Sequence, residues 1–280
     1  MANDSLGDRM KGYERVPKTL LVRRTPVIIR LDGKAFHTFT RGFNKPYDVV
    51  LSNAMIRTME HLCRNIQGCV FGYTQSDEIT LVLVDYKTIK TSAWFDNEVQ
   101  KMCSVSASMA TMYFNKAFAD EVQSYYQWMY FNDYQIWENF PKENKYNVSY
   151  ENAVDLIGKY QKKVFTAMFD SRCFNIPKEE VCNCLIWRQQ DATRNSIEML
   201  GRVYFSDKEL FKKNCSNIQD MLMEKHNVNW NDVPTCFKRG CACFKTSTGS
   251  DDRSEWFVDY DMPILTQDRD YVERHIIFEQ

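Results

Sequence analysis

Two carboxylates carry the chemistry this sequence makes available. Asp32 closes the apolar run Pro26–Leu31 and opens the turn pair Asp32-Gly33. Asp77 sits in the polar tip Gln75-Ser76-Asp77-Glu78, between apolar runs at 70–74 and 79–84. Adjacent strands lie about 5 Å apart, so pairing of these runs lets both side chains share hard divalent cations. Oxygen ligands favour Mg2+, and two such ions are the apparatus of nucleotidyl transfer, one at the attacking hydroxyl and one at the leaving phosphate. The stretch Gly33-Lys34-Ala35-Phe36-His37 offers backbone N–H groups to line a triphosphate. Lys45 and Lys101 can neutralise phosphate charge, and His37 can face a base. Each residue alone has a plainer reading: a strand-end Asp as a turn residue, Lys45 as a solvated loop charge, Lys101 as a helix-face charge, His37 as a satisfied loop histidine. Together they read as a triphosphate-and-metal site.

The elements that must position these residues follow from apolar spacing. Residues 26–31 predict a buried strand. From Asp48 to about Asn65, apolar residues recur every three or four positions, an amphipathic helix. The runs at 70–74 and 79–84 predict a hairpin with a short polar tip. A second long helix is expected from about Ala93 to Phe118, its Ser104, Ser106, Ala107, Ser108 and Ala110 permitting close packing on a sheet. Val164–Phe169 predicts a fourth strand, and Pro177, followed by Glu179 and Glu180, opens a third helix. The order β-α-β-β-α-β predicts an α+β fold, a split βαββαβ antiparallel sheet with helices on one face. Residues 1–205 are expected to form the catalytic domain, with 206–280 a mixed extension packed on it. An aromatic-rich insertion at about 120–162 could be a stacking surface for RNA bases. Its few cations before Lys142 favour packing instead.

Composition sets the outer limits. In 280 residues, 44% are hydrophobic and 26% charged, the balance of a globular chain rather than a disordered one. The net charge of −1 excludes a strongly basic body, so any nucleic-acid contact must use a local patch. No apolar stretch reaches the roughly 20 residues of a membrane span, and Met1–Asp8 lacks a signal peptide's basic and apolar segments. A cytoplasmic protein with no membrane partner is expected. Its 10 cysteines should then be reduced thiols, and the Cys236, Cys241 and Cys243 cluster lacks the usual zinc spacing.

Five blocks carry a family resemblance: Arg30–His37, Phe43–Asp48, Gly72–Glu78, Trp94-Phe95 with Lys101, and Phe169–Arg172. Over about residues 4–205, with an echo at Pro234 and Lys238-Arg239-Gly240, the chain resembles the tRNA-His guanylyltransferase superfamily, 3′–5′ nucleotidyltransferases with a polymerase-like palm. The resemblance implies that Asp32, the Gly33 carbonyl and Asp77 bind two Mg2+ ions. It implies that residues 32–37 (Asp32, Gly33, Lys34, Ala35, Phe36 and His37) with Ser76 and Asp77 bind the nucleotide, and that Glu78 supports the metal site. Lys45 would be catalytic, with His37, Asn44 and Asp48 near the base of an activating ATP or GTP. The implied partners are nucleoside triphosphates and tRNA, and the implied assembly is a homotetramer. Three departures refine this. Trp187-Arg-Gln-Gln-Asp191 is followed by Thr193–Met199 rather than the H-I-N-N-L-Y-N of enzymes that guanylylate tRNA-His. That looks like the guanylyltransferase-like branch associated with template-directed repair of truncated tRNA 5′ ends. A phosphate-binding Arg of the guanylyltransferases is Glu98 here, and the insertion is longer than the family pattern. Single-G addition to tRNA-His is the alternative within the family; a palm-type nucleotidyl cyclase and a catalytically silent RNA-binding protein are more distant ones.

Overall fold

The computed structural model describes residues 5–131, 150–247 and 254–277. A six-stranded antiparallel sheet of order β4-β1-β3-β2-β5-β6 organises the chain. Its strands are β1 (Val27–Gly33), β2 (Cys69–Gln75), β3 (Glu78–Leu83), β4 (Phe169–Asn175), β5 (Cys241–Ser247) and β6 (Ser254–Asp259). The helices are α1 (Leu6–Arg15), α2 (Phe36–Phe39), α3 (Val49–Asn65), α4 (Val99–Phe131), α5 (Tyr150–Gln161), α6 (Lys178–Tyr204), α7 (Asp207–Leu210), α8 (Cys215–His226), α9 (Thr235–Arg239) and α10 (Asp270–Glu273).

Both faces of the sheet are covered, where helices on one face were expected. Val27, Ile29 and Leu31 of β1 pack with Met55, Met59 and Leu62 of α3 and Ala110 and Phe114 of α4. Ile28 of the same strand packs with Val82, Phe71 and Tyr73, under Val181, Cys182 and Leu185 of α6 and Tyr271 and Val272 of α10. The cause is visible in the two central strands, where Ile28 and Ile29 of β1 and Leu81 and Val82 of β3 put apolar side chains on both faces, so both sides need cover. The C-terminal part supplies two further strands: β5 pairs with β2, and β6 pairs with β5, so residues 241–247 and 254–259 continue the sheet.

Two elements differ from the sequence expectation. The fourth strand begins at Phe169, where the apolar run 164–169 was expected to end. Within that run Phe165 is left-handed (φ 62°) and exposed, and Lys163 with Val164 closes the turn after α5. The strand itself, Phe-Asp-Ser-Arg-Cys-Phe-Asn, lies at the sheet edge and buries little, which hides it from a hydrophobic-run criterion. The second long helix starts at Val99, not Ala93, because Phe95, Asp96 and Asn97 are all left-handed. It then runs on to Phe131, deep into the expected insertion. Tyr125 and Tyr160 are buried there, their rings meeting edge-on at 5.6 Å, so these two insertion aromatics are core. Tyr126 and Tyr130 are exposed, and Tyr134, Trp137, Phe140 and Tyr146 lie outside the described residues.

Asp48 ties this layer together. Its Oδ1 accepts from the Leu51 N–H at 2.9 Å, capping α3, while Oδ2 accepts from the Asn44 N–H at 2.9 Å and the Tyr160 hydroxyl at 2.6 Å. Burial pushes the Asp48 carboxyl above the usual carboxylate range, against these three hydrogen bonds. Loss of a cap and of a buried acceptor predicts that Asp48→Ala destabilises the fold by about 2–4 kcal/mol. Tyr160→Phe, which removes one of the three donors, should cost about 1 kcal/mol. Urea unfolding of both variants against the parent checks the ordering.

Candidate active site

The hairpin places the carboxylates as the spacing anticipated. β1 and β3 pair with Asp32 opposite Glu78, and the β2–β3 turn consists of Ser76 (φ 50°) and Asp77. The Gly33 N–H donates to the Asp77 carbonyl at 3.0 Å, fastening the strand end to the hairpin tip. Gly33 has to be glycine, because a Cβ there would lie 2.3 Å from the Phe36 ring. The Asp77 carboxyl is pushed up chiefly by burial and further by the Asp32 charge, while a Ser76 hydrogen bond and His37 pull it down. Two carboxylates are thus held close together, a donor set that a hard divalent cation would relieve. Among the described residues no three His, Cys, Asp or Glu side chains gather into a closed metal cage. An open pair of carboxylates suits Mg2+, which keeps positions for water and substrate phosphate.

Glu78 is committed to a different partner. Its Oε1 accepts from Arg188 Nε at 2.7 Å, and Arg188 also donates to Asp191 Oδ2 at 2.9 Å. Both members of the Arg188–Glu78 pair are nearly buried. Burial pushes the Glu78 carboxyl up, and Arg188 opposes it. The pair fixes α6 against the hairpin tip.

Beyond the tip lies a pocket of 310 Å³. Four distant segments line it: the loop and helix start from Phe36 to Ile56, the hairpin residues Thr74–Asp77, Ala192 to Met199 of α6, and Cys236 to Cys241 around α9. Of the candidate site residues, Phe36, His37, Asn44, Lys45, Asp48, Ser76 and Asp77 line it, while Asp32, Gly33, Lys34 and Ala35 do not. Lys45 is exposed at its rim. Gly33 and Lys34 donate to Asp77 and Met168 carbonyls, and the next acceptor used is Ala35, by Thr38. Among the described residues the N–H groups of Ala35 (φ 55°), Phe36 and His37 have no acceptor, a nest for an anion.

Two predicted site residues have other roles. Phe36 contributes its backbone, because its ring is buried against Phe39, Phe114 and Phe169. Lys101 is not in the pocket: it sits at the start of α4, 3.5 Å from Glu98, which also pairs with Lys18 at 3.0 Å. Helix α4 packs on the face of β1 opposite Asp32, and its first turns adjoin Cys173, far along β4 from Asp170.

Other pocket residues escaped the sequence reading. Tyr47 and Phe237 stack at 4.9 Å and 9°, forming an aromatic wall. The Tyr47 hydroxyl is 2.7 Å from Ser196 Oγ, which accepts from Trp230 Nε1 at 3.1 Å. Tyr47 lay within a recognised block, and Phe237 inside the Pro234–Gly240 echo. Gly240 (φ 85°) is demanded by the close approach of Thr74, whose carbonyl would sit 2.4 Å from a Cβ. Lys238 of that echo is buried, donating to the Asn231 carbonyl at 2.6 Å. The cysteine cluster divides: Cys236 and Cys241 line the pocket, while Cys243 is buried beside Cys63 in the core. All ten cysteines are free thiols.

Comparison with known proteins gives a consistent result. A bacterial tRNA(His) guanylyltransferase-like protein solved in complex with ATP superposes with a TM-score of 0.79 at 38% identity, covering 98% of this chain and 100% of the other. Its complex with GTP superposes with a TM-score of 0.73 at 36% identity. An uncharacterised protein, R259, of Acanthamoeba polyphaga mimivirus is 29% identical over 85% of this chain and 76% of its own length. A probable tRNA(His) guanylyltransferase of Dictyostelium discoideum is 24% identical over 88% of this chain and 84% of its own. The family model for tRNAHis guanylyltransferase matches residues 7–177, more than half of the sequence. With the paired carboxylates, the open N–H nest and the adjoining pocket in place, this chain belongs to the tRNAHis guanylyltransferase family.

Proposed function

We propose that this protein is a 3′–5′ nucleotidyltransferase that activates an RNA 5′ end with ATP or GTP and adds nucleotides to the 5′ end of tRNA. The observation that carries the reading is the 310 Å³ pocket lined by Lys45 and Asp77, the latter fastened to the Asp32 strand end through the Gly33 N–H. The volume suits a nucleobase and its ribose. The base enters between the Tyr47–Phe237 wall and the polar side chains of Asn44, Asn195 and Ser196. The triphosphate then lies along the open N–H groups of residues 35–37 and Ser76, with Lys45 balancing its charge.

Asp32, the Gly33 carbonyl and Asp77 are the residues that would hold two Mg2+ ions, which supply charge neutralisation at phosphate and acidify an attacking hydroxyl. Activation joins a 5′-phosphate oxygen of the RNA to the α-phosphate in the pocket and releases pyrophosphate. Transfer then joins the 3′ oxygen of an incoming triphosphate to that 5′ phosphate and releases the nucleoside monophosphate. The chain's contribution is positioning and fixed electrostatics. Arg188 orients the hairpin through Glu78, so Glu78 acts on Asp32 and Asp77 through the backbone of the tip.

Template-directed repair is favoured over single-G addition by Thr193–Met199, whose Asn195, Ser196 and Met199 face the pocket in place of the guanylylating motif. A homotetramer working in the cytoplasm completes the proposal, and no helix among the described residues is long and apolar enough to cross a membrane. An assay of 5′-labelled tRNA lacking its first nucleotides, with ATP, Mg2+ and each triphosphate in turn, decides the function: additions that follow the opposing strand support repair, and a single G whatever the opposing base supports the alternative. Asp77→Asn is expected to lower both activation and transfer at least 100-fold with an unchanged melting temperature, since it removes a metal ligand at a turn. Near-parental rates would remove Asp77 from the site. Lys45→Ala should slow activation of 5′-monophosphate tRNA far more than transfer onto tRNA already carrying a 5′-triphosphate. Equal losses on the two substrates would assign Lys45 to a shared step.

A further inference from the structure

A nucleotidyl transfer brings two nucleotides to one pair of carboxylates, whereas the pocket seats one. The other approach to Asp32 is the face of β1 under α6, and it presents an aromatic surface. Trp187 of α6 is 52% exposed despite its size. Its ring is flanked by two guanidinium groups, Arg188 at 4.4 Å and Arg30 at 5.3 Å from the centroid. Arg188 is fixed by Glu78 and Asp191, so the ring is held at the base of a buried ion pair. Arg30 is two residues from Asp32 on the same face of β1, a spacing of about 7 Å. Opposite Arg30 on the edge strand stands Arg172, as Asp170 stands opposite Asp32. Among the described residues the Arg30 side chain makes no hydrogen bond or ion pair; it lies against the Trp187 ring and its charge acts on Glu78. A half-exposed indole and the Arg30 guanidinium against it thus lie on the face of β1 that carries Asp32, across β3 from the β2 residues that line the pocket.

We propose that Trp187 is the stacking platform for the base of the second nucleotide, the one whose 3′ oxygen or 5′ phosphate is joined at Asp32 and Asp77. This rests on the nucleotidyl-transfer reading above. Base–aromatic stacking tolerates any base, as a template-directed enzyme requires, since pairing rather than the protein then selects the nucleotide. The base belongs either to the incoming triphosphate or to the terminal residue of the RNA, and kinetics separate the two.

The test compares Trp187→Ala and Trp187→Phe with the parent in the full chain. With 5′-triphosphorylated truncated tRNA, Trp187→Ala should raise one KM by about 5- to 150-fold, the range of a lost base stack. A rise in the KM for the triphosphate identifies the incoming nucleotide, and a rise in the KM for tRNA identifies the RNA end. Trp187→Phe, which keeps a ring, should stay within a few-fold of the parent, and all three proteins should share one melting temperature and one assembly size. Both KM values unchanged in Trp187→Ala, or equal losses in Ala and Phe variants with lowered melting temperature or altered assembly, would overturn the platform. Should the parent itself fail to transfer, the functional reading falls. The platform is then judged by equilibrium binding of a non-hydrolysable triphosphate and of the tRNA: weaker binding of either to Trp187→Ala alone supports it, and equal binding of both to all three proteins refutes it.

Discussion

The register between β1 and β3 is the constraint on which the site depends. With Asp32 opposite Glu78, the two-residue turn of Ser76 and Asp77 projects past the end of β1, where the Gly33 N–H catches the Asp77 carbonyl at 3.0 Å. A slip of one residue would send Asp32 to the α3 face and exchange every buried side chain of β1 for one meant for the other side. Between Val27 and Ile29 apolar residues stand on both faces, so periodicity there does not forbid that slip. The tip does, through its short turn and the backbone bond at Gly33.

Charge is handled differently on the two sides of this register. On the α6 side a nearly buried Arg188–Glu78 pair is extended by Asp191, which also pairs with Arg194. Such a pair is weak evidence of stability, since desolvation offsets most of its attraction. It does fix geometry, because removing either partner leaves a buried charge alone. At the tip, Asp32 and Asp77 have no comparable guanidinium ion pair among the described residues, and the Asp77 carboxyl is raised chiefly by burial and further by the Asp32 charge. The fold thus neutralises the carboxylate that braces α6 and leaves the Asp32–Asp77 pair without such a partner among the described residues.

The pocket is a product of chain reversal. Asp48, at one wall, is held by Tyr160 from 112 positions away, and Tyr47 reaches Ser196 across 149. The Asp48 carboxylate caps α3, receives the loop N–H of Asn44 and anchors the aromatic layer of Phe43, Phe118 and Tyr160. The wall of the pocket and the end of the core are therefore one structure, which joins the shape of the site to the stability of the fold.

The sequence by itself determined the chemistry and the hairpin that presents it. An acidic residue at the end of a β-branched run, and another in a four-residue polar gap between two such runs, leave few geometries other than adjacent strands. The amphipathic helix over 49–65 was equally legible from its spacing. Tertiary structure alone decided the rest. The edge strand Phe169–Asn175 buries too little to announce itself, while the apolar run before it is a loop. Lys101 lies on the helix that packs behind the sheet, a placement that depends on which face α4 covers. Phe36 sits among site residues in sequence, yet the core claims its ring. Asn195, Ser196 and Phe237 join the pocket only because α6 overshoots the sheet and α9 folds back beside the tip. Local patterning fixes which face of an element is apolar, but which distant face it meets is set by long-range packing, and that is where this site is assembled.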